Sequence, residues 1–189
     1  MISFCSACGA KTHNIIPAGD SRPRDVCSSS ACGLVHYENP RIVTGTLPVW
    51  QGKILLCRRA IEPRRGFWTL PAGFMELAET VEQGAVRETW EEAGARVAVR
   101  GLLAVLDVPH ASQVHTFYWA DLIDGVFEAG TESLEVALFA PADIPWDELA
   151  FKTVYIALKH YLSKAESPSL LTRTVHYEPK VAAKPPAAS

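Results

Sequence analysis

The sequence predicts an α+β domain built on a mixed sheet, preceded by a small cysteine-rich module. Three observations carry that reading. Runs rich in β-branched, aromatic and aliphatic residues recur between Arg41 and Phe139. One long segment between Glu79 and Gly94 has helical texture and its own start and stop signals. Four of the five cysteines fall within the first 32 residues, where large aliphatic side chains are scarce. A chain of 189 residues, 48% of them hydrophobic, can supply one ordinary core and an appendage.

Taken in order, residues 1–38 form the module, which is rich in Ser, Gly, Pro and Cys and needs a staple to hold together. Residues 39–164 form the main domain. Arg41–Trp50 and Lys53–Arg59 are expected strands joined by a hairpin turn at Gln51-Gly52. Phe67–Leu70 is a short strand ending at Pro71-Ala-Gly73. The long helix follows, with Thr80 as N-cap, Gln83 three residues on to complete a capping box, and Gly94 as its terminating glycine. Ala85, Thr89 and Ala93 make a small-residue stripe that lets the helix approach a sheet closely. Arg96–Val108, Gln113–Leu122 and Ser133–Phe139 read as further strands, and Pro141–Trp146 as a turn or short helix. Ala150–Leu162 has apolar residues at Val154, Leu158, Tyr161 and Leu162, a helical spacing. Residues 165–189, rich in Ser, Pro, Ala and Lys, are expected to be a disordered tail.

Composition narrows the function. A net charge of −3 and a pI near 6.1 do not build the broad basic surface that duplex nucleic acid requires. No apolar run approaches the roughly 18 residues of a membrane span. Met1-Ile-Ser-Phe-Cys5 has neither the basic nor the apolar region of a signal peptide, so a cytoplasmic location is expected. In a reducing compartment, crowded cysteines favour a metal over disulfides.

The chemistry concentrates on the helix. Glu88, Glu91 and Glu92 stand at i, i+3 and i+4, within an arc of about 100°. Like charges at that spacing repel. A divalent cation relieves the repulsion, and carboxylate oxygens suit hard ions such as Mg²⁺, which commonly carry phosphates. Glu82 points outside the arc.

From Gly73 onward the spacing is Gly73-x5-Glu79-x7-Arg87-Glu88-Thr89-Trp90-Glu91-Glu92-Ala93-Gly94-Ala95. This resembles the signature of the Nudix hydrolases, Gly-x5-Glu-x7-Arg-Glu-U-x-Glu-Glu-x-Gly-U with U a bulky aliphatic. All seven fixed positions match; the two U positions depart, as Thr89 and Ala95. The resemblance implies an α/β/α sandwich and metal-dependent hydrolysis of a pyrophosphate bond. It implies Mg²⁺ or Mn²⁺ ligands at Glu88 and Glu92, with Glu91 close by and the backbone carbonyl of Ala72 completing the set. Arg87 is implied to pair with Glu79 and lock the loop against the helix. The general base differs among these enzymes, so Glu91 and the later Glu132 and Glu135, in Thr131-Glu-Ser-Leu-Glu135, are the candidates.

Cys5-x2-Cys8 and Cys27-x4-Cys32, each followed by glycine, resemble a zinc ribbon whose second turn is two residues long of the usual spacing. Four thiolates would close the coordination shell, so such a zinc serves folding. His13 and His36 are possible substitutes, and Cys57 reads as a small core residue. A ribbon before this signature is similar to NADH pyrophosphatases and, more closely, to the plant chloroplast FAD and ADP-ribose pyrophosphatase type. The shared texture includes Leu55-Leu-Cys-Arg-Arg59, Gly66-x-Trp68-Thr-Leu-Pro-Ala-Gly-Phe74 and Ile144-Pro-Trp-x-x-x-Ala-Phe151. This implies FAD, ADP-ribose or NADH as substrate class, AMP as product, and a homodimer. Trp68, Phe74, Phe117 and Trp119 are stacking candidates that serve equally well as core residues. Two alternatives stand beside this reading. One is a nucleotide-sensing regulator with an interaction module, against which the intact glutamate set argues. The other is a house-cleaning (d)NTP pyrophosphatase, against which the ribbon argues.

Overall fold

The computed structural model describes residues 2–164 and 169–176. Its contacts divide the chain after Asn39 into two compact units.

In the smaller unit, β1 (Thr12–Ile15), β2 (Arg24–Cys27) and β3 (Val35–His36) form an antiparallel sheet in that order. A buried carboxylate, Asp25, fastens the start of the chain: it accepts from the Ile2 N–H at 2.7 Å and from Asn14 Nδ2 at 3.0 Å. The two cysteine turns close differently. Gly9 N–H donates to Cys5 C=O at 2.9 Å, a tight turn. In the longer second turn, Ser29 C=O accepts from both Cys32 N–H and Gly33 N–H. That coil absorbs the two extra residues.

The larger unit contains β4 (Arg41–Trp50), β5 (Lys53–Arg59), β6 (Trp68–Thr69), β7 (Ala72–Phe74) and α1 (Val81–Ala93). It continues with β8 (Val97–Val108), β9 (Gln113–Leu122), β10 (Ser133–Phe139), α2 (Lys152–Ser163) and β11 (Leu171–Thr174). The sheet order is β10-β5-β4-β9-β8-β11, with β6 on β5 and β7 on β4. The β4–β9 and β11–β8 pairs are parallel and the others antiparallel, so the sheet is mixed, as expected. The Gln51-Gly52 turn has both φ positive, +48° and +77°, which suits the twist of a two-residue hairpin. Single 3₁₀ turns at Pro141–Asp143 and Trp146–Glu148 fill the stretch before α2.

Each sheet face carries one helix. On one, Thr44 and Thr46 of β4 point at α1: Thr44 Oγ1 donates to Val81 C=O at 2.8 Å, and Thr46 meets Thr89 at 2.6 Å. Thr89 donates to Ala85 C=O at 2.7 Å, so its remaining role toward Thr46 is acceptor. A fully buried hydroxyl pair thus stands where the family pattern has a bulky aliphatic. The core on this face contains Leu55, Cys57, Ala93, Ala95, Val97, Ala120 and Leu122. Residues alternating with these on β4, such as Leu47, join Phe117, Leu103 and Leu106 against Val154, Ala157 and Leu158 of α2. The capping box at Thr80 and Gln83 is formed, and Gly94 ends α1 in the left-handed conformation at φ +57°.

Two elements depart from expectation. β7 is a separate three-residue strand that pairs with β4. Within the expected tail, Leu171–Thr174 form β11 on the edge of β8; residues 165–168 and 177–189 lie outside the described residues. No helix among the described residues is long and apolar enough to cross a membrane.

Candidate active site and cysteine cluster

The α1 N-terminal loop and β7 bring the signature residues together. Arg87 stands at their centre, and each of its five N–H groups has a partner. Nε donates to Glu79 Oε2 at 3.0 Å and Nη2 to Glu79 Oε1 at 2.8 Å, a bidentate fork. Nη1 donates to Glu88 Oε1 at 2.8 Å and Glu91 Oε2 at 2.9 Å, and Nη2 also reaches the Phe74 carbonyl at 3.1 Å. The guanidinium beside Glu79 holds its carboxyl down to about 2. Glu79 also accepts from the Glu76 N–H at 2.6 Å, which ties the loop between β7 and α1 to the helix.

The helix glutamates sit in graded environments. Glu92 is buried at 6% exposure, and one Oε accepts from the Ala72 N–H at 3.1 Å. Burial pushes its carboxyl up to about 8, and the neighbouring Glu88 adds to that. Glu88 is also raised by burial, against the pull of Arg87. Glu91 is more open, with 54% of its side chain exposed. Gly73 permits the approach of β7: a Cβ there would lie 2.4 Å from the Glu88 carboxylate. Glu79, Glu88 and Glu91 share the Arg87 guanidinium and Glu92 stands apart from it, so the four carboxyls leave up to three negative charges (four less one) in a partly dry cluster. Oxygen donors with that charge excess fit a hard divalent cation.

The later glutamates separate. Glu132 is exposed, and its charge bears on both Glu88 and Glu92. Glu135, on β10, pairs with Arg58 at 3.6 Å. Of the stacking candidates, Trp68 and Phe117 are core residues at 7% and 1% exposure, and Trp119 packs against the same core. Phe74 is 46% exposed, with the Arg41 guanidinium 4.6 Å from its ring centroid.

Arg59 is a residue that sequence reasoning missed. It is 9% exposed, donates from Nε to Pro63 C=O at 2.9 Å, and lies 5.0 Å from the Phe151 ring centroid. Its charge partly opposes the rise of Glu92. The available signal was the second arginine of Arg58-Arg59: alternation on β5 turns its side chain inward.

In the smaller unit, the Sγ atoms of Cys5, Cys8, Cys27 and Cys32 all lie within 4.8 Å of one another, with Cys5–Cys32 at 3.8 Å and Cys8–Cys27 at 3.4 Å. Thiolates around one tetrahedral ion with bonds of about 2.3 Å stand about 3.8 Å apart, so the four fit a metal ion. No pair is bonded as a disulfide. Neither histidine belongs to the cluster. Cys57 is a core residue at 1% exposure, its thiol pushed up by burial.

Comparison with known proteins agrees with this geometry. A family model described as NUDIX domain matches residues 39–158, and one described as Nudix N-terminal matches residues 3–38. An ADP-ribose pyrophosphatase of Methanocaldococcus jannaschii is 34% identical over 61% of this chain and 69% of its own length. An NAD-capped RNA hydrolase, NudC, of Erwinia tasmaniensis is 29% identical over 65% of this chain, which spans less than half (44%) of that relative. The crystal structure of a Nudix hydrolase from Nitrosomonas europaea superposes with a TM-score of 0.88 at 47% identity, covering 92% of this chain and 99% of that one. With its signature glutamates gathered around Arg87 and both family models matched in order, the chain belongs to the Nudix hydrolases.

Proposed function

We propose that this hydrolase cleaves the pyrophosphate bond of a nucleoside diphosphate linked to a second group, of the FAD, ADP-ribose or NADH class, and releases AMP. The observation that carries the proposal is the graded glutamate cluster on α1, tied through Arg87 to the Glu79 loop. Glu88, Glu92, Glu91 and the Ala72 carbonyl would hold Mg²⁺ or Mn²⁺. Bound there, the cation neutralises the diphosphate and lowers the pKa of water. Arg87 acts by position: with all five donors engaged inside the protein, it has none to offer substrate. Glu91, Glu132 and Glu135 are the general-base candidates. Glu132 fits best, because Glu91 is bonded to Arg87 and Glu135 faces Arg58. A base should be free to take a proton from water.

The ADP-ribose pyrophosphatase among the relatives supports the substrate class. The ribbon cysteines would hold one Zn²⁺ with a closed shell, serving folding. The proposed organisation is a ribbon over 1–38 and a catalytic domain that begins at residue 39 and takes β11 into its sheet, in a cytoplasmic homodimer acting on small nucleotides. The test is AMP release from FAD, ADP-ribose, NADH, CoA, diadenosine polyphosphates and dNTPs with Mg²⁺ or Mn²⁺. Turnover confined to dNTPs would replace the proposal with the house-cleaning alternative. Tight binding without any turnover would favour the sensing alternative.

A further inference from the structure

The loop between β9 and β10 is fastened to the end of α1 at a point where no side chain fits. The last carbonyls of a helix lack intrahelical partners, and here the loop supplies them. Glu128 N–H donates to Ala93 C=O at 2.8 Å, and Gly130 N–H to Glu92 C=O at 3.1 Å. At Gly130 the two backbones nearly touch. A Cβ there would lie 1.8 Å from the Glu91 carbonyl oxygen, 2.9 Å from its carbon and 3.3 Å from the Glu92 carbonyl carbon. All three are backbone atoms of a capped helix and cannot swing aside. Gly130 does not have the positive φ of Gly94 or Gly125, so its backbone suits any residue; only the contact excludes one.

What this contact holds is a turn. Gly130 C=O accepts from Ser133 N–H at 3.0 Å, which places Thr131 and Glu132 at the apex. On the far side, Glu132 C=O accepts from Ala60 N–H at 2.8 Å, just past the end of β5. Glu132 is therefore registered to the same Glu91 and Glu92 peptides whose side chains belong to the carboxylate cluster.

We propose that Gly130 is a positioning residue: its missing side chain lets the turn seat on the α1 backbone and present Glu132 to the site. The inference rests on the hydrolase reading with Glu132 as base. It is tested by a cycle of four proteins, wild type, Gly130→Ala, Glu132→Gln and the double variant. Each is assayed for kcat against pH on the best substrate of the panel, and each is checked for folding by tryptophan fluorescence.

Glu132→Gln should lose about a hundredfold or more in kcat and the acidic limb of the pH profile. Gly130→Ala should lose about tenfold or more, and the double variant should be no slower than Glu132→Gln alone. If the single losses instead multiply, Gly130 does not act through Glu132 and the inference is overturned. A wild-type chain that turns over nothing overturns the hydrolase reading and this inference with it. An active wild type with an undiminished Glu132→Gln overturns only the positioning claim and the choice of base.

If Gly130→Ala fails to fold, a glycine inserted between Thr131 and Glu132 decides the question. It keeps the Gly130 and Glu128 contacts but displaces the carboxylate. It should lower kcat as Glu132→Gln does while melting near wild type; full turnover in that variant overturns the inference.

Discussion

Removing the Glu92 carboxylate should make the metal-free protein more stable at neutral pH while abolishing its activity. Glu92 is 6% exposed, and one Ala72 N–H at 3.1 Å is a small return for a buried charge. Burial raises its carboxyl from 4.5 to about 8. Between those values the folded chain binds a proton that the unfolded chain does not, so stability falls as pH rises. The loss begins near 4.5 and is complete once pH passes about 8. At about 1.4 kcal/mol per pH unit, roughly 3 kcal/mol is gone by pH 7 and about 5 in total. Glu92→Gln keeps the shape and the acceptor for Ala72 but removes the titration. The assay is denaturant unfolding in metal-free buffer at pH 5, 6, 7 and 8, followed by tryptophan fluorescence. All five tryptophans lie beyond residue 39, so the signal reports the larger unit. Wild type should lose stability across that range and regain it with millimolar Mg²⁺. The variant should show a flatter profile, exceed wild type at pH 7, and gain little from Mg²⁺. Equal Mg²⁺ stabilisation of both proteins would refute the ligand role of Glu92, and parallel pH profiles would refute its buried, titrating state.

Other outcomes follow from the same geometry. Arg87→Lys keeps the charge but has three donors in place of five and no planar fork; kcat should fall about tenfold to a hundredfold, with fluorescence reporting a folded chain, and wild-type turnover would show that the fork to Glu79 is dispensable. His115, bonded to Thr153 at 3.1 Å and Gln113 at 2.9 Å, is lowered by burial from 6.5 to about 4. Its unfolded form takes up a proton first as pH falls, so wild type should lose up to about 3 kcal/mol relative to His115→Gln between pH 6.5 and 4; a constant difference between the two would contradict this. Elemental analysis should find one zinc per chain in wild type and none in Cys27→Ala, and a wild type without zinc would remove the ribbon assignment.

The glutamate cluster was legible because helical spacing and flanking glycines are local. Thr80, Gln83 and Gly94 announced α1 for the same reason. Strand lengths for β4, β5, β9 and β10 were legible from β-rich runs and turn residues. What was not legible depends on pairing across the chain. β7 contains Gly73 and follows Pro71, both poor strand formers, and exists because β4 offers it a partner. β11 has the composition of a tail and is a strand because the edge of β8 supplies unpaired backbone groups. The charge of Arg59 acting on Glu92, and the seat of Gly130 against the Glu91 carbonyl, join segments distant in sequence. The irregular Cys27–Cys32 spacing could be counted, but only the Ser29 turn explains how it still closes on the other cysteines.

Metal-dependent hydrolysis through Glu92 is decided by the fate of ADP-ribose with Mg²⁺ or Mn²⁺, followed as AMP and ribose 5-phosphate, for wild type beside Glu92→Gln. Wild type should release both products in equal amounts, none without a divalent cation, and Glu92→Gln should release neither. Turnover by wild type that persists in the variant, or that ignores removal of the cation, would contradict it.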